Sequence, residues 1–148
     1  MNFNDLPLEA ELLDGLQPMN FKEATPIQEK AIPLILDKKD IIACAQTGTG
    51  KTAAYLLPIL NILCQRKHPE DKINALIMVP TRELALQIDQ QLDAFAYFLP
   101  VTSVAVYGGG DGAIFSQQEK AMRSGVDVVI ATPGRLISLL NMGKIDMS

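Results

Sequence analysis

Residues 45–52, AQTGTGKT, combine glycine, threonine and lysine in the pattern of a phosphate-binding loop. Small residues let backbone N–H groups turn inward around an anion, and a helix that begins directly after them adds its positive N-terminus. In such a loop Lys51 would contact the outer phosphates and the Thr52 hydroxyl would hold Mg²⁺, which makes these two residues the catalytic candidates. The pattern therefore predicts a nucleoside triphosphate site made of Ala45, Gln46, Thr47, Gly48, Thr49, Gly50, Lys51 and Thr52.

The loop departs from the usual pattern G-x-x-x-x-G-K-[ST], because Ala45 stands where glycine is usual. A turn that binds no ligand could use the same glycines and threonines. The context favours a phosphate loop, since residues 41–44 are apolar like a buried strand and residues 53–57 are apolar like the start of a buried helix.

Three other segments could also bind phosphate, and each follows a strand-like apolar run. They are PTRE at residues 80–83, YGGG at residues 107–110 and TPGR at residues 132–135. Their threonines offer hydroxyls and helix-start N–H groups, their glycines allow close backbone approach, and their arginines are charged forks. Each segment alone is equally typical of a helix start or a turn. Because one nucleotide needs a single such segment, the group indicates a second, extended polyanion.

The elements that must position these segments alternate between strand-like and helix-like runs, after a leading amphipathic segment. In a parallel sheet the carboxyl ends of the strands meet at one edge, where ligands bind. We therefore predict an α/β fold with a mainly parallel sheet flanked by helices. The predicted strands are 40–45, 74–79, 101–107 and 126–131, and the predicted helices are 26–36, 50–65, 81–98, 113–124 and 135–141.

Prolines and threonines mark the predicted helix boundaries. Pro26 suits a first helical turn, and Thr81 is a plausible N-cap. Pro33 and Pro58 fall inside predicted helices, so we expect a kink or an early break at each. Three of the predicted strands are nearly continuous apolar runs, which predicts burial on both faces.

The composition is that of one ordinary globular domain of 148 residues. A formal net charge of −4 argues against gripping nucleic acid by bulk electrostatics, so such binding would rest on a few placed groups. Cys44 and Cys64 lie in apolar runs and are expected to be small buried hydrophobes. The single histidine, His68, lies in a polar stretch where we expect a solvated loop and no metal site.

The N-terminal residues are acidic and carry no pattern of a signal peptide. The densest apolar stretch, residues 53–63, contains Pro58 and Asn61 and is too short to span a bilayer. We therefore expect a cytoplasmic protein without a membrane segment.

Taken together, these segments resemble the first RecA-like lobe of the DEAD-box ATP-dependent RNA helicases. AQTGTGKT, PTRELA at residues 80–85, the glycine doublet at 108–109 and TPGR occur in the order and spacing of that family. The family accepts alanine at the first position of its phosphate loop. Upstream, NFKEATPIQ at residues 20–28 resembles the adenine-sensing Q motif, G-F-x-x-P-T-P-I-Q, with Asn20 and Ala24 replacing its Gly and its first Pro. Phe3 stands where the family places an isolated aromatic residue.

The resemblance implies roles for these residues in binding ATP, Mg²⁺ and RNA. Phe21 would stack on adenine, and the Gln28 amide would both donate to and accept from it, with Thr25 beside them in the same motif. RNA would be held by sugar and phosphate contacts without sequence preference. The implied RNA-binding residues are Pro80, Thr81, Arg82, Gly108, Gly109, Thr132, Pro133, Gly134 and Arg135.

The family's Asp-Glu-Ala-Asp motif is not found in the 148 residues. We therefore interpret the chain as a truncated lobe, with a Q-motif region at 1–38 and a P-loop α/β core at 39–148 that lacks its last strands. Without the carboxylates that position water and Mg²⁺, the fragment alone is predicted to have no appreciable ATPase activity. The parent would unwind or remodel RNA together with a second lobe, and the fragment's unpaired sheet edges predict self-association or swapping.

Two other functions fit parts of the sequence. A binding module without catalysis could hold nucleotide or RNA and act through another chain. A P-loop kinase for a small molecule would explain the loop at 45–52 but not PTRELA or TPGR.

Overall fold

The computed structural model describes residues 1–65, 67, 69, 71–109 and 112–143. The chain divides into two compact units. The first unit consists of Met1–Lys67 with Ala94–Pro100, and the second consists of His68–Asp93 with Val101–Ser148. The phosphate loop and the Q-motif segment thus lie in the first unit, and the other three phosphate-binding candidates lie in the second.

Helices form the first unit. They are α1 at Ala10–Leu16, α2 at Pro26–Leu36 and α3 at Lys51–Cys64, with short 3-10 turns at Phe3–Asp5 and Gln17–Met19. The helices α2 and α3 pack against each other, and α1 also contacts α3. Their apolar faces form a core in which Leu12, Ile32 and Leu56 are fully buried. This packing holds both ends of the segment that contains the phosphate loop.

A parallel sheet with the order β1-β3-β2 organises the second unit. The strands are β1 at Ala75–Met78, β2 at Ser103–Val106 and β3 at Val128–Ala131, and the helices are α4 at Arg82–Phe95, α5 at Gly112–Arg123 and α6 at Pro133–Asn141. Side chains from α5 and α6, including Met122, Leu136 and Leu139, pack on the sheet residues Val106 and Val129. The predicted α/β class with a parallel sheet is confirmed.

The carboxyl ends of the three strands lie level with one another. Ala131 of β3 pairs with Met78 of β1 and with Val106 of β2. The ladder extends one residue further, since the Val79 N–H donates to the Ala131 carbonyl at 2.9 Å and the Thr132 N–H donates to the Val106 carbonyl at 2.9 Å. The segments that follow the three strands therefore start from the same edge.

A buried carboxylate fixes the opposite end of the sheet. Asp127 accepts hydrogen bonds from the Asn74 side chain at 3.1 Å and from the Thr102 N–H at 3.1 Å. These contacts join the residues that precede all three strands. Since each bond links a different pair of chain segments, Asp127 sets the register that makes the carboxyl ends level.

The predicted helix boundaries agree with the structure to within a few residues. Pro26 occupies the first turn of α2, and the Thr81 hydroxyl accepts a hydrogen bond from the Leu84 N–H at 3.2 Å. Of the kink or early break expected at Pro33 and Pro58, the early break is wrong, because both prolines lie inside continuous helices. Fully buried neighbours, Ile32 in α2 among them, hold each helix together by packing, which outweighs the hydrogen bond that a proline removes.

The predicted strand at residues 40–45 is also wrong. These residues have no regular structure, Ile42 is 99% exposed, and Cys44 is exposed where we expected burial. A strand requires a hydrogen-bonded neighbour, and none of the described residues pairs with this segment. The prediction for Cys64 is confirmed, since it is buried.

Burial on both faces is confirmed for β3 and wrong for β1. All four residues of β3 are buried, whereas Leu76 and Met78 of β1 are 41% and 47% exposed. The difference follows from position, because β3 is central and β1 is an edge of this sheet. His68 lies outside the described residues. No helix in the described part of the chain is long and apolar enough to cross a membrane.

Candidate functional site

The loop at residues 45–52 has the backbone conformation of an anion cradle. Gly48 and Gly50 have positive φ angles of 83° and 82°, and Gly50 is the N-cap of α3. Within the described residues, the N–H groups of Gly48, Gly50 and Lys51 meet no acceptor. Free N–H groups at the start of a helix of 14 residues form a site that suits phosphate.

Open space and an unpaired charge complete this cradle. A Cβ built on Gly48 would meet nothing within 4 Å. The Thr49 hydroxyl donates to the Gln46 carbonyl at 2.6 Å, which closes the loop as a turn. Lys51 is exposed and has no carboxylate partner among the residues described here, so its ammonium group can reach an anion. The residues present therefore fit a polyphosphate.

Gln28 connects the Q-motif segment to the phosphate loop. The side chain is 3% exposed; its Oε1 accepts from the Thr25 N–H at 2.9 Å, and its Nε2 donates to the Gly50 carbonyl at 3.1 Å. The structure thus brings together Thr25, Gln28 and Gly50, which the sequence analysis assigned to one nucleotide. In this structure the Gln28 amide makes its hydrogen bonds within the protein.

Three aromatic rings hold the start of the Q-motif segment. Phe21 contacts Phe3 and Phe95 edge-on, with ring centroids 5.4 Å and 5.5 Å apart, and it keeps part of its surface exposed. The two departures from the family pattern have local explanations. Asn20 adopts a left-handed φ of 62°, which asparagine tolerates better than most residues, and the Ala24 N–H, which proline lacks, donates to the Met1 carbonyl at 2.9 Å.

One further group lies beside the predicted magnesium ligand. Burial raises the pKa of Tyr55, and a hydrogen bond with the Thr52 side chain opposes that rise. The phenol is therefore protonated at neutral pH. The sequence analysis did not assign Tyr55, although its position one turn after Thr52 places both on one face of α3.

The second candidate site lies at the level carboxyl ends of β1, β2 and β3, and we call it the carboxyl-edge site. Gly109 adopts a φ of 85°, and a Cβ built on it would lie 3.2 Å from Arg82 Nη1. The Gly109 carbonyl accepts a hydrogen bond from Arg135 Nη2 at 3.3 Å. Two guanidinium groups thus meet around one glycine. The carboxyl-edge site consists of Pro80, Thr81, Arg82, Gly108, Gly109, Thr132, Pro133, Gly134 and Arg135.

Most of these residues are accessible to a ligand. Pro80, Thr81, Arg82, Gly108, Gly109, Pro133 and Gly134 are exposed, and Thr132 and Arg135 are partly exposed. Arg82 has one weak ionic contact, with Glu83 at 3.8 Å, and Thr132 is the N-cap of α6 without a side-chain capping bond. The site therefore presents two arginines, threonine hydroxyls and backbone N–H groups, which are the donors that bind phosphates.

Two residues that hold Arg135 were not predicted from the sequence. Arg135 Nη1 donates to Gln118 Oε1 at 3.1 Å, and the guanidinium carbon lies 4.8 Å from the centroid of the Phe115 ring. A pattern was present, because Phe115, Gln118 and Met122 have the spacing of one helix face, where a glutamine among apolar residues is unusual.

Comparisons with known proteins show the family to which the chain belongs. The DEAD/DEAH box helicase family model matches residues 25–147. The chain belongs to the DEAD/DEAH box helicase family. It is 49% identical over 140 residues to the probable ATP-dependent RNA helicase ddx27 of Dictyostelium discoideum, covering 94% of this chain and 18% of that protein. It is 46% identical over 140 residues to the DEAD-box ATP-dependent RNA helicase CshA of Streptococcus pneumoniae, covering 95% of this chain and 26% of that protein.

A solved structure supports the fold. The crystal structure of a hypothetical ATP-dependent RNA helicase from Sulfolobus tokodaii superimposes with a TM-score of 0.81 at 34% identity, covering 94% of this chain and 38% of that chain. The predicted RecA-like fold and helicase family are thus confirmed, and the kinase alternative is set aside. The chain spans about a fifth to a quarter of the length of these curated relatives.

Because Gln28 contacts Gly50, we expect alanine substitution to destabilise the protein more at Gly50 than at Gly48, although both glycines have similar φ angles. Gly48→Ala meets only backbone strain, which costs about 1 to 2 kcal/mol of folding free energy. Gly50→Ala should cost roughly 1 kcal/mol more, because its Cβ collides with Gln28 Nε2 and breaks the hydrogen bond to Gly50. Urea unfolding of both variants measures the difference.

The double variant Gly50→Ala/Gln28→Ala is the control for this prediction. Without the Gln28 side chain, the Cβ at position 50 has nothing to collide with. The loss of folding free energy in the double variant should therefore be smaller than the sum of the losses in the two single variants. Equal losses for Gly48→Ala and Gly50→Ala would show that Gln28 does not hold the loop in solution.

Proposed function

We propose that this chain forms the ATP-binding and RNA-binding part of an ATP-dependent RNA helicase. The observation that carries the proposal is the pairing of two anion sites in one chain: a glycine cradle with free N–H groups before α3, and a carboxyl-edge site with two arginines around Gly109. The names of the relatives supply the activity of the whole protein, of which this chain covers a part.

In the proposed nucleotide site the phosphates lie in the loop at residues 45–52. The N–H groups of Gly48, Gly50 and Lys51 would donate to phosphate oxygens, and the Lys51 ammonium would neutralise the outer phosphates. The Thr52 hydroxyl would bind a Mg²⁺ ion carried by the phosphates, since Mg²⁺ commonly combines few protein ligands with substrate oxygens. Mg²⁺ would there neutralise charge that develops on the phosphates during transfer.

The Q-motif residues would select adenine. Gln28 has one amide hydrogen and one oxygen lone pair beyond the two bonds that it makes here, so it can contact the base while it holds Gly50. Phe21 would offer the part of its ring that Phe3 and Phe95 leave exposed. Adenine binding would thus be linked directly to the conformation of the phosphate loop.

Hydrolysis would require groups beyond those found here. None of the 148 residues forms an Asp-Glu-Ala-Asp sequence, and the described residues contain no cluster of three metal-binding side chains. We propose that these residues alone bind ATP without appreciable turnover. The missing Asp-Glu-Ala-Asp sequence also favours a second candidate function, in which the chain is a module without catalysis that holds nucleotide or RNA and acts through another chain.

In the proposed RNA site, the carboxyl-edge site binds the sugar-phosphate backbone of a single strand. Arg82 and Arg135 would pair with phosphates, and the glycine doublet would let the backbone approach closely. The net charge of −4 makes these placed groups more important, because the protein has no general attraction for polyanions. Such contacts carry no sequence information, so binding would be independent of sequence.

The exposed apolar residues indicate where other protein would bind. Ile42, Leu76 and Met78 are exposed, and the apolar residues 41–45 are unpaired within the described residues. We propose that further strands or a second copy of the chain cover them, and that a second helicase lobe closes on the bound ligands. We also propose that the protein acts in the cytoplasm, where ATP and RNA are both available.

Calorimetry of nucleotide binding tests the proposed role of Lys51. Lys51→Ala should weaken binding of ATP with Mg²⁺ at least tenfold, because it removes the charge that faces the phosphates.

The same measurement separates the two roles of Gln28, in binding adenine and in holding Gly50. Gln28→Ala should remove the preference for ATP over GTP and also weaken binding of inorganic tripolyphosphate, because Gln28 both faces the base and holds Gly50. Weaker tripolyphosphate binding with an unchanged preference for ATP over GTP would show that Gln28 only shapes the loop.

Lys39→Ala is the matched control for Lys51→Ala. Lys39 is exposed, and its Nζ lies 3.9 Å from Asp37 Oδ2. Because Lys39 lies outside the loop at residues 45–52, Lys39→Ala should not change nucleotide affinity. Equal nucleotide affinity in the Lys51→Ala variant and the unmodified chain would contradict the proposed site.

RNA binding tests the carboxyl-edge site through its dependence on salt. Arg82→Ala and Arg135→Ala should each weaken binding of a uniform single-stranded RNA and lower the slope of log K against log salt by about 0.7, the value for one phosphate contact. Arg123→Ala is the control, because Arg123 lies in the last turn of α5 and contacts Glu119 at 3.6 Å. Fluorescence anisotropy at several salt concentrations measures the slopes. Unchanged slopes for both site variants would refute the assignment.

A further inference from the structure

Gln118 is a buried polar residue with an unexplained atom. Its side chain is 4% exposed, and within the described part of the chain its Nε2 has no hydrogen-bond partner. Leaving a buried amide donor unsatisfied costs free energy that an apolar side chain of similar size would avoid. The residue must therefore contribute something that an apolar residue could not.

The other end of the same amide shows what that contribution is. Gln118 Oε1 accepts a hydrogen bond from Arg135 Nη1 at 3.1 Å. The oxygen must face the guanidinium group, because the amide nitrogen has no lone pair to accept that bond. This requirement fixes the amide orientation and turns Nε2 away from Arg135, where it finds no acceptor. The orphaned donor is thus a consequence of holding Arg135.

Three contacts together fix the plane of the Arg135 guanidinium. Gln118 binds Nη1, the Gly109 carbonyl binds Nη2 at 3.3 Å, and the Phe115 ring lies 4.8 Å from the guanidinium carbon. A guanidinium has five N–H donors, so most of them stay free. A long arginine side chain loses about 1.5 to 2 kcal/mol of rotamer entropy when it is ordered. Ordering it before RNA arrives removes that loss from binding.

We propose that Gln118 is a positioning residue for RNA binding: its buried Oε1 holds Arg135 ready to pair with a backbone phosphate. This inference rests on the proposed RNA site. Gln118 Oε1 faces the Arg135 guanidinium, so Gln118 would act on RNA through Arg135.

The test uses Gln118→Met, which keeps the volume and removes both amide atoms. The variant should bind a uniform single-stranded RNA about threefold to tenfold more weakly, the range for one lost hydrogen bond. Arg135 should react faster with phenylglyoxal in the absence of RNA, because its guanidinium is less held. The unfolding midpoint should be unchanged or raised, since the unsatisfied donor is gone. A merely structural glutamine would instead lower that midpoint.

Two comparisons isolate the effect. Gln117→Met, at the neighbouring exposed glutamine, should leave RNA affinity and Arg135 reactivity unchanged. Gln118→Met combined with Arg135→Ala should bind RNA no more weakly than Arg135→Ala alone. If Gln118→Met does not fold, Gln118→Glu replaces it: its carboxylate would hold Arg135 but neutralise it, lowering the salt slope by about 0.7, as Arg135→Ala does.

The possible failures are distinguishable. Wild-type RNA affinity in Gln118→Met, or a wild-type salt slope in Gln118→Glu, would overturn the inference if Arg135→Ala still weakens binding. An Arg135→Ala variant that binds RNA normally would overturn the RNA role of Arg135. A chain that binds no RNA would overturn the proposed function, and the inference with it.

Discussion

The parallel pairing of β3 with both of its neighbours is the constraint on which the second unit depends. Every residue of β3 is buried, and its last residue, Ala131, lies level with the ends of β1 and β2. Arg82, Gly109 and Arg135 lie in the segments that follow β1, β2 and β3, and they meet because those segments start at one level. A slip of one residue would move a loop by roughly 3.3 Å and turn the strand's buried side chains outward. Asp127 opposes such a slip, because its carboxylate accepts hydrogen bonds from Asn74 and Thr102, which precede β1 and β2.

The first unit depends on a single side chain in a similar way. Gln28 is buried, and its amide joins the start of α2 to the carbonyl of Gly50, the residue that begins α3. The loop at residues 45–52 therefore has a defined shape at its carboxyl end, whereas residues 40–45 at its amino end pair with none of the residues that the structure describes. In both units a buried glutamine holds a group to which we assign ligand binding: Gln28 holds Gly50, and Gln118 holds Arg135.

Local chemistry made the helices, three of the strands and the positions of the segments that follow those strands predictable from the sequence. Pro26 and Thr81 mark helix starts whatever surrounds them, and TPGR follows its strand as expected. The failures depend on neighbours that sequence patterns do not reveal. Residues 40–45 have the composition of a strand but find no partner strand in the described part of the chain. Pro58 stays within a helix because the residues around it are buried. Gln118 was overlooked because a buried glutamine acquires meaning only from Arg135, 17 residues further along the chain.

The central claim is that these residues provide the nucleotide and RNA sites of a working helicase. It is tested most directly in a chimera in which this chain replaces the matching segment of the Streptococcus pneumoniae relative, which is 46% identical to it. We expect the chimera to hydrolyse ATP, to do so faster when single-stranded RNA is added, and to lose hydrolysis on Lys51→Ala. A folded chimera whose phosphate release does not exceed that of its Lys51→Ala variant would contradict the claim. If that chimera still binds RNA, the chain is a binding module without catalysis.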